Sequence, residues 1–188
     1  LDAVQPEPVS EVCSGTVNLL KNPGFNAPGP SQMSGWNSTQ HGNIPSFAVS
    51  VNEGVVTVVR TGPEPWYNLE QFVDLKEFAG HQMLYQAELK LALNKDGWEH
   101  AFEPRGGLQV LIWAIGEPAM LGTRLTVDIS AEHSPNLGET GWFPARVLFS
   151  VPKRPQRSMV GLVHKANGSI SIRNPMLLDC GPIQAPEA

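Results

Sequence analysis

Along much of this chain, apolar and polar residues alternate one for one. In 85–93, Tyr85, Ala87, Leu89, Leu91 and Leu93 fall on one side, and Gln86, Glu88, Lys90 and Ala92 lie between them, with Asn94 following. A period of two puts these sets on opposite faces of a strand; a helix would repeat every 3.6 residues. Residues 47–51, 108–115 and 147–151 alternate in the same way. In 108–115, Val110, Ile112 and Ala114 suit a core, and Gln109, Leu111 and Trp113 lie opposite. Residues 55–60 are a β-branched run, and 68–75 put Leu69, Gln71, Val73 and Leu75 on one face. A short strand is predicted over 125–129. Residues 159–165 and 169–172 read as a last hairpin turned at Asn167-Gly168.

Turn signals separate about ten such runs, and no long amphipathic helix or internal repeat interrupts them. The pattern predicts an all-β chain folded as a two-sheet antiparallel β-sandwich. Two stretches break the alternation. Asn18-Leu19-Leu20-Lys21-Asn22-Pro23-Gly24-Phe25 reads as a first strand, a tight turn with Gly24 free to take φ > 0, and a buried ring. Residues 95–107 form a long insertion carrying Trp98, His100 and Phe102, the kind of loop that is functional or packed over an edge.

The length of 188 residues suits one domain with a sizeable core. Eighteen glycines and seventeen prolines favour many turns and short strands. A net charge of -5 argues against an electrostatic nucleic-acid partner. No apolar run approaches the length of a membrane span, so no membrane insertion is expected. The start of the chain shows neither a charged region nor an apolar one of signal-peptide type, so a processed form or a piece of a longer chain is expected. Residues 1–12 and 181–188 are expected to be linkers or disordered tails around a domain at 13–180. Asn37-Ser38-Thr39 and Asn167-Gly168-Ser169 are glycosylation sequons, meaningful only in a eukaryotic secretory host.

Catalytic motifs are missing from the sequence. There is no Gly-x-Ser-x-Gly, His-Glu-x-x-His or phosphate-binding glycine loop, and the five histidines show no zinc-ligand spacing. The carboxylates are scattered, and their pairing cannot be read from order alone. The chain is therefore expected not to be an enzyme, and no cofactor is required. The tryptophans point elsewhere. Sugar rings present apolar C–H faces to aromatic rings, and their hydroxyls need fixed polar partners.

Four segments occur in an order that resembles the jelly-roll carbohydrate-binding modules of families four, nine and twenty-two, with a galactose-binding-like fold. They are 18–25 followed by Trp36, then 66–75, 80–89 and 168–177, and together they cover most of 18–180. The resemblance implies jelly-roll topology and a ligand cleft on a concave sheet flanked by loops. Carried onto this chain, the implied carbohydrate-binding residues are Trp66, Tyr67, Trp98 and Trp113, with Glu88, Lys90, Gln109 and Arg146 as polar neighbours. If Gln86, Glu88, Lys90 and Asn94 face the cleft, Gln109 and Trp113 should join them there. Trp36 and Trp142 are assigned to packing. The partner implied is a polysaccharide or oligosaccharide, and the setting a longer extracytoplasmic protein. The alternatives are an interaction domain of the same fold with no sugar site, and an accessory domain of a glycoside-active enzyme.

The family also implies a structural calcium ion near the first and last strands. The positions concerned are Asn26 and Asn174, where Asn and Arg-Asn-Pro stand in place of acidic residues, and both departures remove charge. In a jelly roll the first and last strands are neighbours, so Cys13 and Cys180 are expected to form a disulfide in an oxidising compartment, two separate buried thiols being the alternative.

Overall fold

The structure is a computed structural model and describes residues 13, 15, 17–115, 122–128 and 137–183, with 122–128 described for the backbone only. Of the expected tails, 1–12 and 184–188 lie outside the described residues, as does Ile129, whereas Gly181 and Pro182 of the expected 181–188 tail belong to the last strand.

The period-two segments become strands, and their apolar faces decide how the strands are layered. The first sheet runs, in spatial order, β1 (Asn37–Gln40), β4 (Tyr67–Phe72), β10 (Pro155–Lys165), β6 (Arg105–Ile115) and β7 (Gly122–Asp128). The second runs β2 (Phe47–Asn52), β3 (Val55–Arg60), β11 (Asn167–Pro182) and β5 (His81–Asn94). Its far edge is made by β8 (Gly138–Glu139) and β9 (Phe143–Ser150), both against β5. Every pairing is antiparallel. The result is the two-sheet sandwich that the pattern predicts, with the jelly-roll topology that the resemblance implies.

The core lies between the sheets. Leu69, Leu108, Val110, Ile112, Val160 and Leu162 of the first sheet meet Val56, Val58, Tyr85, Leu89, Leu91, Ile170 and Ile172 of the second. Tyr85 is the largest of these, and its hydroxyl donates to the Gly161 carbonyl at 3.1 Å, so its one polar atom is satisfied across the sandwich.

Two local expectations are corrected. The last two strands do not form a hairpin. β10 pairs with β4 and β6, whereas β11 pairs with β3 and β5, so the chain crosses between sheets at Ala166. An Asn-Gly pair favours a tight reversal only when the flanking strands share a sheet. Here both strands carry apolar residues for opposite sides of one core, and burial wins over the turn preference. In the 18–25 stretch the left-handed conformation falls on Asn22 (φ 46°) and Phe25 (φ 49°), and Gly24 is not among the positive-φ glycines. Asn22 holds this loop. Its side chain bonds to the carbonyls of Gln32 and Ser34, and its own carbonyl accepts from Trp36 Nε1 at 2.9 Å. Phe25, 1% exposed, packs on Trp36 with ring centroids 5.1 Å apart.

The entering chain is not a full strand. It is tied to β11 by the Leu19 N–H to the Leu177 carbonyl and by Asn18 to residues 175 and 177. Gln71, 2% exposed, then fixes Lys21. Its Oε1 accepts the Lys21 N–H at 2.7 Å and its Nε2 donates to the Lys21 carbonyl at 2.9 Å. Gln71→Leu strands both main-chain groups, so a loss of about 2–3 kcal/mol is expected in urea unfolding. An unchanged midpoint would show that water replaces the amide without cost.

Cys13 and Cys180 form a disulfide with their Cα atoms 4.7 Å apart. It sits over Leu84 and Leu178 on the outer side of the second sheet.

Candidate functional site

Because Leu69, Val110 and Leu162 point into the core, their neighbours in sequence point outward on the first sheet. The register sets that face out in rows. Asn68, Val163 and Gly107 lie side by side, then Glu70, Gly161 and Gln109, then Phe72, Met159 and Leu111, then Arg157 and Trp113. Trp66 immediately precedes β4, its carbonyl accepting the His41 N–H at 3.0 Å, and alternation carries it to the face of Asn68, at the end of the sheet where Lys165 pairs with Arg105. Val163, Gln109, Leu111 and Met159 are 0–9% exposed although they point away from the core. The middle of the face is therefore shielded from solvent, while Trp66 and Trp113 are half-exposed and Phe72 is 45% exposed.

Gly161 leaves a strip without side chains between Glu70 and Gln109. A Cβ there would lie 2.0 Å from the Leu69 carbonyl oxygen, so the close approach of β10 to β4 requires glycine. The aromatic groups stand at the two ends of the face. From the row of Trp66 to that of Trp113 is about 25 Å at roughly 3.3 Å per residue. Trp66 is edge-on to His41, centroids 5.9 Å apart. At the far end Arg157 lies over both rings, its guanidinium carbon 4.5 Å from the Phe72 centroid and 5.4 Å from that of Trp113. Burial pushes the Glu70 carboxyl above its usual value, and the charge of Arg157 partly opposes this.

The expected cleft residues do not form one site. Glu88 and Lys90 on β5 and Arg146 on β9 belong to the second sheet, as do Gln86 and Asn94. Gln109 and Trp113 belong to the first. Both groups alternate outward as the pattern predicts, but on opposite sides of the sandwich. Alternation fixes which face of its own strand a residue takes, and says nothing about which sheet the strand joins. Tyr67 is also displaced. It is 3% exposed and its hydroxyl is 2.6 Å from Ser38 Oγ, so its ring cannot stack on a ligand. Phe72, Asn68 and Glu70 were not singled out by the sequence pattern. The alternation on β4 would have placed all three opposite Leu69 and Gln71.

Trp98 packs at one end of the sandwich. Its Nε1 donates to the Phe102 carbonyl, it is edge-on to His100 and Phe102, and the Arg60 guanidinium carbon lies 4.9 Å from its centroid. Arg60 also donates to Asn167 Oδ1 and to the carbonyls of Pro63 and Glu64. Lys165 Nζ lies 5.7 Å from the Phe102 centroid, so this loop reaches the Trp66 end of the first sheet. Of the two sequons, Asn167 spends its side chain on Arg60 and Asp96, whereas Asn37 is exposed on β1.

The outer side of the second sheet holds a depression of about 570 Å³ whose lining includes Ser50, Glu53, Thr57, Glu88, Arg173 and Asn174. No aromatic ring lines it. Arg173 holds Glu88 through two 3.2 Å bonds and lies 4.0 Å over the Trp142 ring, and Asn174 Nδ2 donates to the same carboxylate. These bonds keep the Glu88 carboxyl below its usual value. A calcium ion needs oxygens turned toward it. Here Asn174 turns its nitrogen to Glu88, and a guanidinium already balances that charge, so the donor set fits an ion pair rather than a metal. Asn26 is exposed, with its N–H bonded to Asn22 Oδ1. Among the described residues no three His, Cys, Asp or Glu side chains cluster as a metal site.

Comparison with protein-family profiles and with curated protein sequences gives no match. Solved structures do match in fold. A family 16 carbohydrate-binding module superposes with a TM-score of 0.54 at 16% identity, over 86% of this chain and 99% of the other. The CBM22-1 xylan-binding domain of Paenibacillus barcinonensis Xyn10C gives 0.51 at 9% identity, over 85% and 93%. The enzymatically active domain of bacteriophage CBA120 tailspike protein 4 gives 0.55 at 15% identity, over 86% of this chain and 21% of the tailspike chain. This chain thus spans about a fifth of that protein. It has the β-sandwich fold of carbohydrate-binding modules. Among the described residues, no helix is long and apolar enough to cross a membrane.

Proposed function

We propose that this chain is a non-catalytic saccharide-binding module, and that its ligand lies along the outer face of the first sheet. The observation that carries the reading is the arrangement of that face. Trp66 stands at one end and Phe72 and Trp113 at the other, with Asn68, Glu70 and Gln109 around the strip at Gly161. Rings supply stacking for the apolar faces of sugars, and the amides and carboxyl supply hydroxyl partners. The likeness in fold to solved carbohydrate-binding modules supports this reading. The pair Glu88–Arg173 takes the part a metal would otherwise play, so no calcium is required.

The module serves in a longer extracytoplasmic chain by holding it on a polysaccharide. The Cys13–Cys180 disulfide supports an oxidising compartment. The small share of the tailspike chain that is matched supports a place within a larger protein.

Xylo-, cello- and galactohexaose are suitable first probes, tested by calorimetry. Trp66→Ala and Trp113→Ala are each expected to weaken binding of the recognised hexamer at least tenfold, about 1.4 kcal/mol. Glu88→Gln and Lys90→Ala, on the other sheet, are expected to leave it unchanged. If the tryptophan variants fold and bind like the parent, the site is wrong. If neither these neutral hexamers nor their acidic counterparts bind, the interaction-domain reading replaces this one.

A further inference from the structure

Arg157 lies within the ligand face, yet its part there is not explained by stacking on a neutral sugar. It is exposed on β10, between Phe72 on β4 and Trp113 on β6, with its guanidinium within cation–π distance of both rings. Those contacts use the π-surface of the group and leave its N–H edge for hydrogen bonds. Among the described residues no hydrogen bond or ion pair to Arg157 is present, and its charge reaches Glu70 without contact. A guanidinium held between rings is pre-organised, because little side-chain freedom remains to be lost when its fork meets a planar anion.

The charges of the face favour the same ligand. The whole chain carries -5. By register Arg105, Arg157 and Lys165 take outward positions on this sheet with Glu70, and β7 adds Arg124 beside Trp113 and Asp128 beside Gln109. Glu70 stands one strand across and two rows along from Arg157, so an anion placed at the Arg157 end keeps clear of it.

We propose that this face selects an acidic glycan, with Arg157 as the residue that reads a uronate carboxylate through its N–H fork. The inference rests on the saccharide reading above and adds the charge of the ligand. A neutral sugar could meet the same rings and accept single bonds from Arg157 through its hydroxyls, but only a carboxylate offers the planar, charged pair of acceptors that the fork matches.

The test uses matched pairs that differ only at C6. Cellohexaose is compared with the β-1,4-linked glucuronate hexamer, and mannohexaose with the β-1,4-linked mannuronate hexamer, at 50 mM and 500 mM salt. The acidic member of at least one pair is expected to bind at least tenfold more tightly at low salt, and the preference should shrink at high salt. Arg157→Gln should reduce it to near one. Arg157→Lys should restore only part, since an ammonium keeps the charge but loses the fork. Arg157 is on the surface, so both variants are expected to fold. Equal binding of neutral and acidic members, or a preference that survives Arg157→Gln, overturns the acidic-glycan inference and leaves the saccharide reading standing. Binding of neither member of either pair, together with failure of the neutral xylo- and galactohexaose probes, overturns both.

Discussion

Replacing Cys13 and Cys180 with serine is expected to cost the fold about 5 kcal/mol. The bridged positions are 167 residues apart, so the bond closes nearly the whole chain into one loop. In the chain-entropy account the stabilisation grows with the logarithm of loop length and comes to about 5 kcal/mol for a loop of this size. The folded side of the balance points the same way. Among the described residues of 13–20 none lies in a strand, and Asn18 and Leu19 hold this segment to β11 by a few bonds. Gly15 lies so close to this strand that a Cβ would come 2.1 Å from the Asp179 carbonyl oxygen. Without the bridge these contacts must hold the segment alone, and the cover over Leu84 and Leu178 loosens with them. Urea unfolding of the parent and the double serine variant, both without reductant, measures the difference. A loss under about 1 kcal/mol would show that the reduced chain keeps its ends together by itself, contrary to the entropic account.

The strands were legible in the sequence because burial on one side imposes period two, and nothing else in a chain of this kind does so. β5 illustrates this: Tyr85, Leu89 and Leu91 are buried, while Glu88 and Lys90 are outward as expected. The assignment of strands to sheets was not legible. β5 and β6 follow one another in sequence and both alternate, yet they lie in opposite layers. The connection over 95–104 carries the chain across the sandwich, and Arg60 and Asn167 tie it down through contacts distant in sequence. That single crossing separates Glu88 from Gln109 and divides the expected site in two.

The crossover after β10 was hidden for a related reason. Asn167-Gly168 carries a strong local preference for a hairpin, and the preference is overruled by a contact that only the folded chain makes. The ring of His164 bridges the crossing, with Nε2 2.8 Å from the Gly168 carbonyl oxygen and Nδ1 accepting the Ala166 N–H at 3.3 Å. In sequence His164 looks like any lone histidine. Likewise Phe72 and Arg157 are far apart in the chain, and only the register of β4 with β10 brings them together at one end of the face.

His164 should also make the fold sensitive to acid. The side chain is 0% exposed, packed edge-on against Phe47, and burial lowers its pKa from 6.5 to about 4. The charge of Arg60 lowers it further, and the bond to Gly168 works in the opposite direction. Above pH 6.5 the ring is neutral in both folded and unfolded chains, and stability does not depend on it. Between pH 6.5 and 4 the unfolded chain takes up a proton that the folded chain refuses, so each unit of acidification costs about 1.4 kcal/mol. The total approaches about 3.5 kcal/mol and then levels off below pH 4, where both forms are protonated. Asp179 and Glu88, whose carboxyls are held below their usual values, lose their contribution at lower pH than this. Glu70, whose carboxyl burial raises, binds its proton earlier when folded and offsets part of the loss, so it is the difference between the parent and a His164 variant over pH 6.5 to 4.5 that belongs to His164. Urea unfolding across this window should show the parent losing 2 kcal/mol or more relative to His164→Phe, at about 1.4 kcal/mol per unit. His164→Phe is expected to be less stable at pH 7, because the Ala166 N–H and Gly168 carbonyl lose their partner, but without this acid loss over the same window. In the parent, the His164 ring proton signal should not titrate between pH 7 and 5. A midpoint near 6.5 for that signal, or an equal acid slope in the variant, would remove the histidine from the account and leave the crossover without its pH dependence.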